Sequence, residues 1–267
     1  MGIVNVTPDS FSDGARYLDP NAAIAHAHRL IEEGAHLIDI GAESSRPGAA
    51  PLPLEVELAR LLPVIDALRD APVPISVDTS KPEVMRRALD AGASMINDIT
   101  GFRAPGALAS VVKSASALCV MHMQNDPQTM QTAPRYDDVI LEVNAFLATR
   151  IAALIVAGVA RERIVVDPGF GFGKTTEQNF EMLRRYSEFV ALGVPLLAGL
   201  SRKSMLGAVT GKPVGDRLAA SIAAALAAVA HGASIVRVHD VAATIDALAV
   251  WHTGQVAGAH EGIARPE

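Results

Sequence analysis

The chain has a single cysteine, Cys119, among 267 residues. No disulfide can form within it, which fits a reducing compartment. The thiol sits in the apolar run 117–121, where a buried packing role outweighs a nucleophilic one. Positive charge is not in excess: 23 Lys and Arg against 29 Asp and Glu give a net charge of -6, so the basic footprint of a nucleic-acid partner is missing. A small anionic ligand held by a local group of cations is still compatible with that balance. Long apolar runs are missing too. The longest near-apolar stretch, Leu218–Ala230, has 13 residues and includes Ser221, against about 20 needed to span a bilayer. No leader-like segment precedes the first strand-like run, and no linker divides the chain. The expectation is a cytoplasmic protein with neither a membrane nor a nucleic-acid partner.

What is present is an unbroken alternation. Short β-rich runs at 2–6, 37–40, 74–77, 94–97, 118–122, 164–166, 196–198 and 235–238 are followed by helical patterns at 22–33, 54–69, 82–91, 104–113, 138–156, 177–192, 214–230 and 241–250. Strands separated by helices read as a parallel sheet. Eight such pairs at this length favour closure into a single (β/α)8 TIM barrel, a fold of roughly 250 residues. Gly34, Gly92, Gly158, Gly193 and Gly232 each follow a helical pattern, where a left-handed residue ends a helix. The barrel domain is expected over residues 1–251, with a polar tail at 252–267. The alanine-rich helix before residue 230 suits close packing, and its flat face also suits a subunit contact.

Barrels of this kind carry their active sites at the C-terminal ends of the strands. Here those ends hold Asn5, Asp78, Asn97, Asp167, Lys203, Arg237 and His239, with 43–48 following the second strand. Any one Asp or Asn at such a place is explained by capping. Together they make one mouth with carboxylates, carboxamides and cations, suited to a small heteroaromatic bearing donors and acceptors plus an anionic group. Some patterns are decoys. Residues 168–175 resemble a phosphate loop, but Pro168 stands where its first glycine belongs, and Gly169, Gly171 and Gly173 lack the dinucleotide spacing. His26 and His28 point in different directions from one helix and cannot share a metal. His122 follows the fifth strand, where a packing or hydrogen-bonding role outweighs a ligand role.

The strand-end motifs resemble those of the dihydropteroate synthase family. MGIVNVTPDSFSDG at 1–14, GAESSRPG at 41–48, SVDTSKP at 76–82, IND at 96–98, MHMQ at 121–124, DPGFGFGK at 167–174, SRKS at 201–204 and RVHD at 237–240 follow in family order. The resemblance covers residues 1–250. It implies condensation of 6-hydroxymethyl-7,8-dihydropterin pyrophosphate with 4-aminobenzoate, giving 7,8-dihydropteroate and pyrophosphate, with Mg2+ required and a homodimer usual. It further implies that Asp78, Asn97, Asp167 and Lys203 bind the pterin, and that Asn5, Arg46, Arg237 and His239 bind pyrophosphate, Asn5 also lying near the metal. Phe11, Ser45, Pro47, Phe172, Lys203 and Ser204 would surround 4-aminobenzoate. Asp78, Lys203 and Arg46 would act in catalysis.

The chemistry is coherent with that assignment. A carboxylate accepts two parallel N–H bonds, which suits Asp167 at an amino-amide edge. Cations stabilise a departing pyrophosphate. An arylamine is neutral near pH 7, so no Ser-His-Asp or Cys-His arrangement is needed to activate it. Two departures from the family pattern stand out. Ser45 occupies a position where the family has Thr, keeping the hydroxyl but losing a methyl contact with substrate or sulfonamide. The sequence also opens at the first barrel strand, where family members carry a preceding segment. The alternatives are a folate-dependent methyltransferase of the same superfamily, which has no need of 45–47, 201–204 or 237–239, and a non-catalytic pterin-binding paralogue, which would have lost site residues.

Overall fold

A computed structural model describes residues 1–7, 20–44 and 48–255. Its strands are β1 (Gly2–Asn5), β2 (Ile38–Gly41), β3 (Ile75–Asp78), β4 (Met95–Asp98), β5 (Ala117–Met121), β6 (Ile164–Asp167), β7 (Leu197–Ala198) and β8 (Ile235–Val236). Six pair in parallel in chain order, and β7 pairs with β8. Two bridges close the circle, Val166 to Leu196 and Gly2 to Val238. Backbone bonds make the closure: Ile3 N–H donates to the Val238 carbonyl at 3.0 Å, and Val166 N–H to that of Pro195 at 3.0 Å. The eight-stranded barrel follows from strands that are β-branched and apolar on both faces, since helices cover the outside and side chains fill the inside.

The helices are α1 (Pro20–Glu32), α2 (Leu54–Ala67), α3 (Pro82–Asp90), α4 (Ala107–Val111), α5 (Val139–Val156), α6 (Thr176–Arg184), α7 (Ser204–Thr210), α8 (Leu218–Ala230) and α9 (Val241–Gln255). Most match the sequence pattern, with three differences. The run expected as one helix over 177–192 breaks at Arg185 and continues as a 3-10 turn, Tyr186–Leu192. A separate short helix, α7, precedes α8, and α8 itself begins only after a 3-10 turn at Val214–Asp216. The last helix runs to Gln255, into the segment expected as a tail; residues 256–267 lie outside the described ones.

The five glycines expected to end helices all have left-handed φ, between 65° and 112°. Among the described residues one helix, Val139–Val156, is long and apolar enough to cross a membrane by length and composition. It is longer than Leu218–Ala230 but is interrupted by Glu142, Asn144 and Arg150. It buries Val139, Ile140, Val143, Leu147, Ile151 and Leu154 along one stripe, the pattern of a helix laid on a barrel wall.

Strand alternation sorts the side chains into two compartments. Outward residues such as Val4, Ile40, Val77, Ile96, Val120 and Val166 pack under the helices. Inside, the barrel floor is apolar: Met95, Cys119, Val165 and Leu197 form a separate cluster. Cys119 is fully buried there and free. Above that floor the interior turns polar, with Asp39 and Ser76 wholly buried.

Candidate active site

Strand register assembles the mouth. Asn5 pairs with Gly41, Gly41 with Asp78, and Asp78 with Asn97, so four strand ends lie side by side. Gly41 leaves a hollow between its neighbours: a Cβ there would lie 3.3 Å from the Asp78 Cβ. Across the barrel Asp167 ends β6, and Lys203 follows β7. Arg237 leaves β8 pointing inward. Its Nη2 donates to Asp78 Oδ2 at 3.1 Å, and its Nε to Asp39 Oδ2 at 2.5 Å. Asn97 Nδ2 donates to the same Asp39 oxygen at 3.3 Å.

This interior carries unmatched acceptors. Asp39 Oδ1, Asn97 Oδ1 and Ser76 Oγ are buried without a hydrogen-bond partner among the described residues. Buried polar atoms are nearly always satisfied, so this floor is built to meet donors from a ligand or from ordered water. Asp39 was not among the residues singled out from the sequence. Its signal is a lone carboxylate between Ile38 and Ile40 in an otherwise apolar strand.

The loop after β6 forms one wall. Gly169, Gly171 and Gly173 all have positive φ, between 64° and 78°. Asp167 Oδ1 accepts from Gly169 N–H at 2.8 Å, which leaves lone pairs on both carboxylate oxygens for a ligand. The loop is braced from beneath by the buried Lys174, whose Nζ donates to the carbonyls of Gly169 and Phe172 at 2.9 and 3.0 Å and meets His122 Nδ1 at 3.0 Å. His122 is thus a packing and hydrogen-bonding residue, edge-on to Phe146. Burial, and then the Lys174 charge, push its pKa down to about 2. Asn179 on α6 clamps the same loop, its Oδ1 accepting from Gly171 N–H at 2.7 Å. The braced loop holds Phe172 against Lys203, whose Nζ lies 4.2 Å from the ring centroid, a cation–π contact.

The opposite wall comes from the ends of β7 and β8. Ser201 Oγ accepts from His239 N–H at 3.2 Å and lies 2.9 Å from its Nδ1. The hydroxyl proton is then free to go to Nδ1, an arrangement that places the ring proton on Nε2. Burial, and then the cations Arg202 and Arg237, lower the His239 pKa to about 4, so the ring is a neutral donor near pH 7. Arg202, left-handed at φ 59°, pairs with Asp240 at 2.6 Å. Arg217 donates to the carbonyls of Arg202 and Lys203, and Ser221 accepts from Arg202 N–H at 2.9 Å. The start of the alanine-rich helix therefore holds the segment that carries Lys203.

Charge in the mouth is crowded. Burial raises the Asp78 pKa against the pull of Arg237, and Asp39, Asp98 and Glu57 raise it further. Burial also raises that of Asp167, opposed by the bond from Gly169 and the charge of Lys203. Burial lowers Lys203 to about 8. Perturbed carboxylates and a perturbed lysine converging on one cleft mark a functional site.

The structure thus brings together Asn5, Asp78, Asn97, Asp167, Phe172, Lys203, Arg237 and His239. Ser204 is exposed at the first turn of α7. Phe11, Ser45, Arg46 and Pro47 lie outside the described residues. No group of three or more His, Cys, Asp or Glu able to hold a metal occurs among the described residues. Asn5 ends β1 at the rim, a half-buried carboxamide with no side-chain hydrogen bond among the described residues.

Comparison with known proteins fits this geometry. The family profile described as pterin binding enzyme matches residues 1–239. The dihydropteroate synthase of Escherichia coli (strain K12) is 49% identical over 251 residues, 94% of this chain and 89% of that protein. The Yersinia pestis dihydropteroate synthase solved with a sulfonamide drug superposes with a TM-score of 0.91 at 44% identity, covering 95% of this chain and 93% of that one. The Xanthomonas albilineans enzyme solved with 4-aminobenzoic acid gives 0.90 at 52% identity, covering 96% and 92%.

Proposed function

The chain belongs to the dihydropteroate synthase family, and from that premise we propose how its barrel mouth joins 6-hydroxymethyl-7,8-dihydropterin pyrophosphate to 4-aminobenzoate. It is a transferase: the amine nitrogen bonds to the exocyclic methylene and pyrophosphate leaves. One observation carries the assignment of roles. The Asp39–Arg237–Asp78 bridge sits over unmatched acceptors and beside Asn97, Asp167 and Lys203.

The pterin lies edge-on into this floor. Asp167 accepts from its 2-amino group and N3–H, a pairing that a lone carbonyl cannot offer. Asn97 and Asp78 take the remaining ring edge. Lys203 donates to the carbonyl oxygen and a ring nitrogen. Arg237 and the Nε2–H of His239 hold the pyrophosphate with Arg46, and Asn5 shares that end. 4-Aminobenzoate, or a sulfonamide competing with it, packs against Phe172, the Lys203 stem, Ser45, Pro47 and Ser204, with Phe11 over it.

Mg2+ fits the residues present, because this ion is commonly held by substrate phosphates, water and one or two protein oxygens rather than by a protein cage. Asn5 supplies that oxygen, and the bound ion adds positive charge where pyrophosphate departs. Every other contribution belongs to the chain: Arg237 offsets the charge of the leaving group, the neutral His239 ring donates a hydrogen bond to it, and Asp78 faces the carbon that becomes electron-poor. Exposed Val209, Val214 and Leu218, at 62%, 57% and 42% exposure on α7, α8 and the turn between them, support a homodimer through this face. The buried lone thiol of Cys119 suits the cytoplasm.

A coupled assay for 7,8-dihydropteroate from the two substrates tests the reading, together with Asp167→Asn. The variant exchanges one matched acceptor for a donor and is expected to weaken pterin binding by roughly 2–5 kcal/mol. Unchanged pterin affinity in the calorimeter overturns the ring assignment. Absence of product from wild-type protein overturns the activity.

A further inference from the structure

A second set of charged groups lies beside the mouth and takes no part in the account above. Glu57, on the first turn of α2, is 1% exposed. Both its oxygens are used: Oε1 accepts from Thr79 Oγ1 at 2.6 Å, and Oε2 from Lys81 Nζ at 2.5 Å. Lys81 Nζ also donates to Glu43 Oε2. Thr79 directly follows Asp78, and Lys81 directly precedes α3. Glu43 lies two residues beyond the end of β2.

A fully buried carboxylate is costly unless it is paired and hydrogen-bonded. Placing one here makes structural sense only if it ties something down. What it ties together is the chain leaving β2 and the turn that carries Asp78 out of β3.

The other side of the β2 segment is also fixed. Gly48 N–H donates to the Pro127 carbonyl at 3.3 Å, and Arg60 Nη1 donates to the Ala42 carbonyl at 3.3 Å. Glu43 and Gly48 are thus each held to a neighbouring segment. Lys81 contacts no reacting group in the roles assigned above.

We propose that Lys81, with Glu57 behind it and Glu43 in front, is a positioning residue that registers the β2 exit against the Asp78 turn and so sets the second-substrate side of the mouth. This rests on the reading of the reaction given above. Asn97 and Asp167 lie on strands outside this network, and Asp78 is held from inside the barrel by Arg237 at 3.1 Å as well, so pterin binding should be largely spared. The amine side, which needs the β2 exit in place, should not. Displacement of about 1 Å at an aligned site costs up to about 100-fold in rate, so even a slack anchor is visible.

The test compares Glu43→Gln, Lys81→Met and Lys81→Arg with wild type. Glu43→Gln acts at the partly exposed end, 28% exposed, and decides the matter if Lys81→Met leaves Glu57 too poorly paired to fold. Three readouts are taken: pterin affinity by calorimetry, steady-state KM and kcat for 4-aminobenzoate, and amide hydrogen exchange of the peptide spanning 42–50. The expected result is a KM for 4-aminobenzoate raised, or kcat lowered, by about tenfold or more, faster exchange in 42–50, pterin affinity within a factor of two, and partial rescue in Lys81→Arg. Unchanged exchange, or faster exchange with unchanged kinetics, overturns the proposal. So does an equal loss of pterin affinity and turnover with a fall in Tm, which marks a merely structural network. Failure of the wild type to make dihydropteroate would show in the steady-state kinetics and would sink the reaction, while the exchange data would still report on the anchor.

Discussion

Arg237 reaches inside the barrel to Asp39, its Nε donating to Oδ2 at 2.5 Å across 198 residues of sequence. Asp39 has no exposure, and its other oxygen has no partner among the described residues. The pair therefore sets where the guanidinium sits before any ligand arrives. Removing one member of a buried ion pair leaves the other uncompensated, and here Asp78 compensates only in part. Asp39→Asn is expected to lower stability by about 3 kcal/mol. It should also weaken pterin binding, because Arg237 is then drawn onto Asp78. Urea denaturation and calorimetry check both. A variant with wild-type midpoint and affinity would remove Asp39 from the site.

Gly169 makes the closest backbone approach at the site. Its φ is 75°, and a Cβ there would lie 1.9 Å from the His122 carbonyl oxygen. The loop must move to admit one, taking with it the N–H on Asp167 and the carbonyl on Lys174. Gly169→Ala is expected to cost about 3 kcal/mol or more, strain and clash together, and to abolish measurable pterin binding. Gly211→Ala is the control. It has φ 68° but open space around it, so only the backbone penalty of about 1 kcal/mol applies. Equal losses in the two would mean that the His122 contact does not matter.

Much of this was legible beforehand. Parallel strands buried on both faces leave runs such as those at 164–166 and 118–122, and carboxylates and carboxamides gathered at the ends of several such runs go beyond what capping explains. Other features had no local signal. Glu57 reads as an ordinary acid in the first turn of a helix, and its partners Thr79 and Lys81 lie 22 and 24 residues away. Only closure of the barrel brings them together. The helix Ser204–Thr210 has seven residues, fewer than two full turns of pattern before Gly211 ends it. The break at Arg185 has no local punctuation in the sequence; that side chain pairs with its neighbours Glu181 and Glu188 and, from outside the run, with Asp138. Asp39 escaped the sequence reading: it stands as a lone carboxylate between Ile38 and Ile40, and nothing local says that an arginine from β8 meets it.

The charge states predict a pH profile for the free enzyme. Burial lowers Lys203 to about 8, so as pH rises through that value the ammonium loses its proton and, with it, the donation to the pterin proposed for it. Burial raises Asp78 above the usual carboxylate range, so as pH falls it is protonated earlier than an ordinary Asp and can no longer offset positive charge on the ring. The kcat/KM for pterin pyrophosphate is expected to be bell-shaped, with a basic limb near 8 and an acid limb above the ordinary carboxylate value of about 4. Lys203→Arg should move the basic limb upward, since a guanidinium does not titrate there. A flat profile between those limits, or a basic limb unmoved in the variant, would reassign both groups.

The distribution of charge also bears on the order of bond changes. In the proposed reading Arg237 and His239 meet the pyrophosphate and Asp78 the pterin ring, and no base among the described residues is assigned to the amine. A site of this composition stabilises a separated pair, a ring-delocalised cation and a departing anion, and differential stabilisation of that state accelerates the reaction. Carbon–oxygen cleavage is therefore expected to run ahead of attack by nitrogen. Para-substituted anilines that still bind should then differ little in the chemical step. Deuterium at the reacting methylene should give a normal secondary isotope effect, because that carbon becomes trigonal. Asp78→Asn should slow the chemical step more than it weakens ground-state binding. Single-turnover measurements are required, since product release can hide the chemistry. A steep dependence on amine basicity with an isotope effect near unity would mean that nitrogen attacks in concert with cleavage, and Asp78 would then be a binding group for the ring edge alone.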